Sequence, residues 1–381
     1  MRPIPEITAI DLARALEAGE PYQVLDVRLP SALADGAIDL VPPGRFHNVV
    51  GSRVLAQRAY GPGFPTPDAP LAVVCGHGNS SRTVTEHLNR LGFQAVSVAG
   101  GMSAWMRVVV QRELPAPAGF DRLIQLDRVG KGALGYVLAS AGEALLVDPP
   151  LHAEAFLEAA RDADARVVGV ADTHVHADYV SGAPALARAL GVPYHLHPAD
   201  AVSPYDGRRG RIDISPLTEG DTIRVGRGAV RALHTPGHTE GSTTFAAGDE
   251  AAFTGDFIFV RSVGRPDLGG RLEEWTPVLW RSLERARREW PAGLRIHPAH
   301  YSGADEREPD RTVGRRFDAI AAASEPLRMT SEADFAAWVR SRTGTFPEAY
   351  RTIKTLNLAL ADAGDAEIDV LEGGRNACAL G

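Results

Sequence analysis

The sequence predicts an α/β protein of two domains, and three observations carry that prediction. Short apolar runs of strand length alternate with amphipathic helical stretches, the pattern of a parallel sheet. The Pro- and Gly-containing stretch Leu114-Pro-Ala-Pro-Ala-Gly119 interrupts the alternation as a linker would. At 381 residues the chain is longer than one ordinary core organises.

In the segment 1–113, Asp11–Ala18 has a helical pattern, Tyr22–Val27 and Leu71–Cys75 read as strands, and Ser81–Leu91 reads as an amphipathic helix. Ala95–Ala99 is a further strand, after which Gly100-Gly101 opens a helix running through Trp105. A second α/β unit covers 120–305. Leu123–Leu126, Gly135–Ser140 and Ala144–Val147 are strand-like there, and Ala153–Arg161 is helical. Residues 306–381 turn helical, with Thr312–Ala323, Glu332–Arg342 and Pro347–Leu360 as the expected helices. They are expected to pack on the second unit and to offer a homodimer contact.

Composition excludes several roles. A net charge of −8 with no basic run argues against nucleic acid or an anionic membrane as partner. No apolar stretch is long enough for a membrane span, and the N-terminus lacks a signal-peptide pattern. Cys75 and Cys378 are the only cysteines, too few for a disulfide scaffold, so a reducing cytoplasm is the expected compartment.

The chemistry concentrates in Thr173-His-Val-His-Ala-Asp-Tyr179, which packs His174, His176 and Asp178 into one short run. Imidazole and carboxylate are the usual ligands of zinc and iron. The run follows the apolar Arg166–Asp172, which places it at the carboxyl end of a buried strand, where open α/β folds put their ligands. His238 in Thr235-Pro-Gly-His238, Asp256 in Phe253-Thr-Gly-Asp256 and His300 in Ile296-His-Pro-Ala-His300 each end a strand-like segment in the same way. His47, His87, His152, His195, His197, His234 and His297 lack that setting and read as structural, as does Asp148 at a sheet edge.

These loops, in this order, resemble the metallo-β-lactamase superfamily over about residues 120–305. The resemblance implies an αβ/βα sandwich with metal at the edge its two sheets share. The superfamily motif usually ends in His where this chain has Tyr179. Its binuclear members, such as glyoxalase II-like thioester hydrolases, build a second metal site from that His with the preceding Asp, a bridging Asp and the last His. Tyr179 weakens such a site. The motifs are closest to persulfide dioxygenases, which implies a single ferrous iron held by His174, His238 and Asp256. His176, Asp178, Tyr179 and His300 then support the ligands or mark a second metal position. Arg261 and Arg265, in the segment after Asp256, are candidates for the carboxylates of a thiol such as glutathione. Tyr301 joins them, one position earlier than the resemblance places its tyrosine.

In the first domain, Cys75 ends a strand and opens the loop Gly76, His77, Gly78, Asn79, Ser80, Ser81 and Arg82 before a helix. Backbone N–H groups at such a turn hold an anion and depress a thiol's pKa. With Leu25-Asp-Val-Arg28 and Val98-Ala-Gly-Gly-Met-Ser-Ala-Trp105, this loop resembles the rhodanese family over about 5–112. The resemblance implies a persulfide carried on Cys75. Ser80 stands where that family usually has Arg, and an Arg follows at 82.

The expected function is a persulfide dioxygenase joined to a rhodanese. It would oxidise a low-molecular-weight persulfide, such as glutathione persulfide, with O2 to sulfite and thiol. Sulfane sulfur would transfer at Cys75, with thiosulfate as one outcome. Two alternatives stand beside it: a thioester hydrolase with two zinc ions, and a sulfur carrier or persulfide sensor.

Overall fold

The computed structural model describes residues 3–57, 60–61 and 63–380. It divides into two compact units. One comprises the residues up to Val110 with Arg128–Lys131 and Gly373–Arg375, and the other Gln111–Asp127, Gly132–Glu372 and the residues from Asn376 onward.

The first unit is built on a five-stranded sheet in the order Glu6–Ile7, Gln94–Val98, Pro70–Val74, Gln23–Asp26, Phe46–Asn48. Every pairing is parallel. The central strands are apolar on both sides because both faces are covered. Val24 and Val74 enter one cluster with Leu12, Leu16 and Trp105, whereas Leu25 and Val73 enter another with Val84 and Leu88. Thr8 caps the helix Ala9–Glu17, its hydroxyl accepting from the Asp11 N–H at 3.1 Å.

The second unit is a sandwich of a seven-stranded and a six-stranded sheet. Tyr136, Leu138, Leu145 and Val147 of the first meet Val230, Ala232, Phe245 and Phe253 of the second in one buried core. The helices Glu154–Asp162 and Ala183–Leu190 pack against the seven-stranded sheet. Leu272–Glu289 and the helices after Arg316 cover the other face of the six-stranded sheet, where Leu279 and Leu283 join Ala252, Ile296, Ile320 and Phe335. This is the αβ/βα arrangement expected, with a helical C-terminal extension.

Three segments differ from the sequence expectation. Leu114, placed in the linker, closes the strand Val109–Leu114 at the edge of the seven-stranded sheet and is buried. The helix expected over Thr312–Ala323 begins only at Phe317, because Arg315–Arg316 pairs with Arg295–Ile296. Gly314 (φ 153°) makes that pairing feasible, since a Cβ there would lie 2.9 Å from His297 Nδ1. The last expected helix, Pro347–Leu360, shortens to Ala349–Asn357 and is followed by Ala359 at φ 50°. Among the described residues no helix is long and apolar enough to cross a membrane.

The Cys75 loop rests on the turn before the helix Gly101–Trp105. Met102 N donates to Cys75 O at 2.8 Å and Ser103 N to Gly76 O at 3.0 Å. Gly101 has φ 61°, and a Cβ on it would meet Cys75 O at 2.3 Å. Gly101→Ala is therefore expected to destabilise the first unit by about 2–3 kcal/mol, read as a lower thermal midpoint. An unchanged midpoint would contradict this account of the loop.

Candidate metal centre and cysteine loop

The ligand loops leave both sheets at their shared edge. Residues 173–179 follow the strand Arg166–Ala171 of the seven-stranded sheet. His238 lies between Gly228–His234 and Thr243–Ala247, Asp256 follows Ala251–Gly255, and His300 follows Arg295–Pro298, all of the six-stranded sheet.

His174, His238 and Asp256 converge so that one donor atom from each lies within 4.8 Å of the others. His174 Nε2 is 3.6 Å and His238 Nε2 3.4 Å from Asp256 Oδ2. These three atoms are buried and have no hydrogen-bond partner. Leaving three polar atoms so is costly unless something binds them, and two imidazole nitrogens with one carboxylate oxygen suit a divalent transition metal. The residues therefore fit a metal.

The surrounding contacts aim those atoms. His238 Nδ1 donates to the Arg265 carbonyl at 2.9 Å, which leaves Nε2 with its lone pair toward the cluster. His174 Nδ1 contacts Thr173 Oγ1 at 3.0 Å, and that hydroxyl donates to the Asp148 carboxylate. Asp256 Oδ1 accepts from His300 Nδ1 at 2.6 Å, which reserves Oδ2 for the cluster. Burial alone would raise Asp256, but His300 and His174 outweigh it and hold the carboxylate well below its ordinary range. Burial pushes the His238 imidazole well down, against the pull of Asp256. For His300 burial again works downward, yet Asp178 and Asp256 hold it up to about 10.

His176 stands apart from this triad. Its Nε2 contacts the Tyr179 hydroxyl at 2.9 Å and Asp148 Oδ1 at 3.2 Å, in a buried group with Asp172. Burial lowers His176 and raises both Asp148 and Asp172 to about 6. Tyr179 stacks on the His176 ring and turns its hydroxyl to it and to Asp148 O. Asp178 lies 3.0 Å from His300 Nε2. Asp148 keeps a left-handed backbone (φ 53°) while its carboxylate accepts from Thr173 N at 2.7 Å.

The arginines and Tyr301 are placed differently from one another. Arg265 is buried, with its guanidinium paired to both Asp267 oxygens at 2.7 Å and bound to Gly344 O at 2.9 Å. It reaches the centre only through its carbonyl. Arg261 is exposed, pairs with Asp305, and lines with His300 a cavity of about 440 Å³. Tyr301 is buried in the same wall and donates to Asp127 at 2.9 Å.

Sequence reasoning missed Asp200 and Asn357. Asp200 Oδ2 accepts from Val175 N at 2.7 Å and from Thr239 Oγ1 at 2.8 Å, while Oδ1 accepts from Gly241 N at 2.7 Å. Its position after the strand Tyr194–Leu196, like that of every ligand loop, was the available signal. Asn357 donates to His176 O and Tyr179 O, each at 2.9 Å, and so ties the C-terminal helices to the 173–179 loop.

In the first unit, Cys75 Sγ accepts from Gly78 N at 3.2 Å and lies 3.4 Å from Ser81 Oγ, at the start of the helix Asn79–Arg90. Burial would raise the thiol, but Ser81 and the loop N–H groups outweigh it and bring it below its ordinary value. His77, Asn79, Ser80 and Arg82 are exposed, and Arg82 pairs with Glu6 at 2.9 Å.

Comparison with known proteins agrees with this geometry. Residues 130–307 match the family model described as the metallo-beta-lactamase superfamily, and residues 8–107 match that of the rhodanese-like domain. A hydroxyacylglutathione hydrolase of Acidiphilium cryptum is 33% identical over 211 residues, 52% of this chain and 81% of that protein. The chain belongs to the metallo-β-lactamase superfamily. This superfamily member also carries an N-terminal rhodanese-like domain. The mitochondrial persulfide dioxygenase ETHE1 of Mus musculus is 33% identical over 184 residues, 46% of this chain and 66% of that protein. The crystal structure of ETHE1 from Myxococcus xanthus shares the fold, with a TM-score of 0.52 at 22% identity over 66% of this chain and 99% of that one.

Two outcomes follow. Asp200→Ala is expected to weaken metal binding about 10–100-fold, measured by competition with a chromophoric chelator; unchanged affinity would remove Asp200 from the site. Ser81→Ala takes away a group that stabilises the Cys75 thiolate. The midpoint of its alkylation-rate profile against pH is expected to move up, and a midpoint that stays or falls would contradict the assignment.

Proposed function

We propose that the chain is a persulfide dioxygenase joined to a rhodanese, with one ferrous iron per chain held by His174 Nε2, His238 Nε2 and Asp256 Oδ2. The observation that carries this reading is the set of three buried, unpartnered donors, two imidazoles and one carboxylate. Two His and one carboxylate with open positions is the set that non-haem iron oxygenases use. Tyr179 supports the same reading, because its phenol is engaged with His176 and supplies no imidazole to a binuclear site.

Iron in this set supplies a place where a sulfur ligand and dioxygen meet. The protein contributes the rest. The Arg265 carbonyl and Thr173 fix the two imidazoles, and His300 holds Asp256 while closing one wall of the cavity. The persulfide enters through that cavity with Arg261 at its rim. One O2 and one water convert one persulfide to one thiol and one sulfurous acid, which ionises to sulfite. The substrate is a thiol persulfide such as glutathione persulfide.

At Cys75 a thiolate attacks the outer sulfur of a sulfane donor. The donor's S–S bond breaks, its remainder leaves with the electron pair, and a persulfide forms on Cys75. Sulfite, thiosulfate and the thiol persulfide are the partners that chemistry connects.

Oxygen uptake with glutathione persulfide, on protein prepared anaerobically with ferrous iron, tests the first reaction. Uptake is expected, with a loss of at least about 100-fold in His174→Ala as a ligand is removed, while Cys75→Ser loses sulfur transfer and keeps uptake. Hydrolysis of an acylated glutathione without any uptake would replace this reading by the thioester hydrolase.

A further inference from the structure

The arginines expected to read substrate carboxylates both have carboxylate partners of their own. Arg265 is held by Asp267, and Arg261 by Asp305. The cavity that has His300 in its wall repeats the pattern. Among the described residues that line it, the guanidiniums are those of Arg261 and Arg342, and Arg342 Nη2 lies 3.0 Å from Glu325 Oε2. We propose that this cavity selects persulfides whose carrier, the part other than the reacting sulfurs, bears no net negative charge. Glutathione persulfide is then turned over as a poorer member of its substrate class. The proposal rests on the persulfide dioxygenase reading above and names the carrier for that same site.

Each ion pair joins separate elements, which fixes the guanidinium in the wall. Arg261 lies in the segment after Asp256, and Asp305 in the short turn Ala304–Glu306. Arg342 ends the helix Glu332–Arg342, and Glu325 opens Glu325–Arg328. The Arg342 guanidinium also lies over the Trp338 ring, 4.7 Å from its centroid.

The charges of the wall then act against an anion. The carboxylates of Asp305, Glu306 and Glu325 stand in the lining with these two guanidiniums. Glu306 accepts from Ser302 N at 2.7 Å and from Gly303 N at 3.3 Å. The His300 imidazole is engaged by Asp178 and Asp256. A ligand carboxylate that reached Arg261 or Arg342 would displace an existing partner and leave that partner's charge beside its own. Like charges so close repel, and exchanging one exposed ion pair for another gains little. A neutral or zwitterionic carrier meets no such cost. Phe259, Trp338 and Leu380 in the same lining offer it apolar contact, and a cavity of about 440 Å³ has the size that small ligands occupy. Glutathione carries two carboxylates and one ammonium at neutral pH, which places it on the disfavoured side.

The test compares two carriers that differ by one charge. Glutathione amide has a carboxamide in place of the glycine carboxylate and is otherwise the same molecule. Oxygen uptake is measured on the full chain prepared anaerobically with ferrous iron. The persulfide of the amide is expected to show a kcat/KM about 2–5-fold above that of glutathione persulfide, the size of an exposed charge interaction, with the difference in KM. Equal values, or a preference for glutathione persulfide, overturn the proposal. Glu325→Gln leaves Arg342 without its carboxylate and is expected to narrow the difference; a difference that stays or widens overturns the assignment to the wall charges. Anaerobic calorimetry of the two free thiols on the iron-loaded chain makes the comparison without oxygen uptake. Tighter binding of the amide is expected, while equal binding, tighter binding of glutathione or binding of neither overturns the charge preference. Absent uptake with a preserved binding preference would sink the dioxygenase reading alone, so the two failures are distinguishable.

Discussion

The Asp200 carboxylate gathers donors from two loops that leave different sheets. The 173–179 loop leaves one sheet and the 235–242 loop leaves the other, and a backbone bond from Thr243 N to Thr173 O at 2.8 Å links their roots. Three donors meet this one buried side chain, from Val175, Thr239 and Gly241. Hydrogen bonds to an ionised carboxylate are the strong kind, and three buried donors without it would each carry a desolvation cost. Asp200 and the Thr243–Thr173 backbone bond together set the separation of His174 and His238, and with it the reach of both imidazoles to Asp256. A Cβ on Gly241 would lie 2.8 Å from Asp200 atoms, which shows how closely the second loop is drawn in.

From that frame the polarity of the centre is ordered outward. Each ring nitrogen not facing the cluster has its own partner, the Arg265 carbonyl for His238 and the Thr173 hydroxyl for His174. Asp256 divides its two oxygens between His300 and the triad. The C-terminal helices take part in the same order, since Asn357 binds carbonyls on both sides of Asp178, and Glu372 accepts from Val180 N at 2.7 Å. Up to Glu372 the extension therefore belongs to the same compact unit as the metal centre.

How much of this the sequence carried depends on what kind of information each residue holds. His174, His238 and Asp256 were legible because each ends an apolar run among Gly, Pro and Thr, a local pattern. Asp200 was not, because one Asp after Pro-Ala reads as an ordinary turn, and its partners are set by tertiary contact. Arg265 was read as a side chain for substrate carboxylates, whereas the structure commits that side chain to Asp267 and uses the carbonyl. The parallel N-terminal sheet was legible from strand and helix alternation, whereas the sandwich was implied by the resemblance that the ligand loops carry. The start of the helix at Phe317 was not, because a two-residue strand pairing with Arg295–Ile296 overrides the local pattern.

The Cys75 loop shows how a departure from a family pattern changes the physics of a site. An Arg in the loop would place a full charge near any anion that approaches. Here Ser80 is exposed at that position, and the Arg two residues on is engaged with Glu6. The field at Sγ comes instead from the Gly78 N–H, the Ser81 hydroxyl and the helix that begins at Asn79. These groups are short-range and act on the sulfur itself, so they favour the thiolate form.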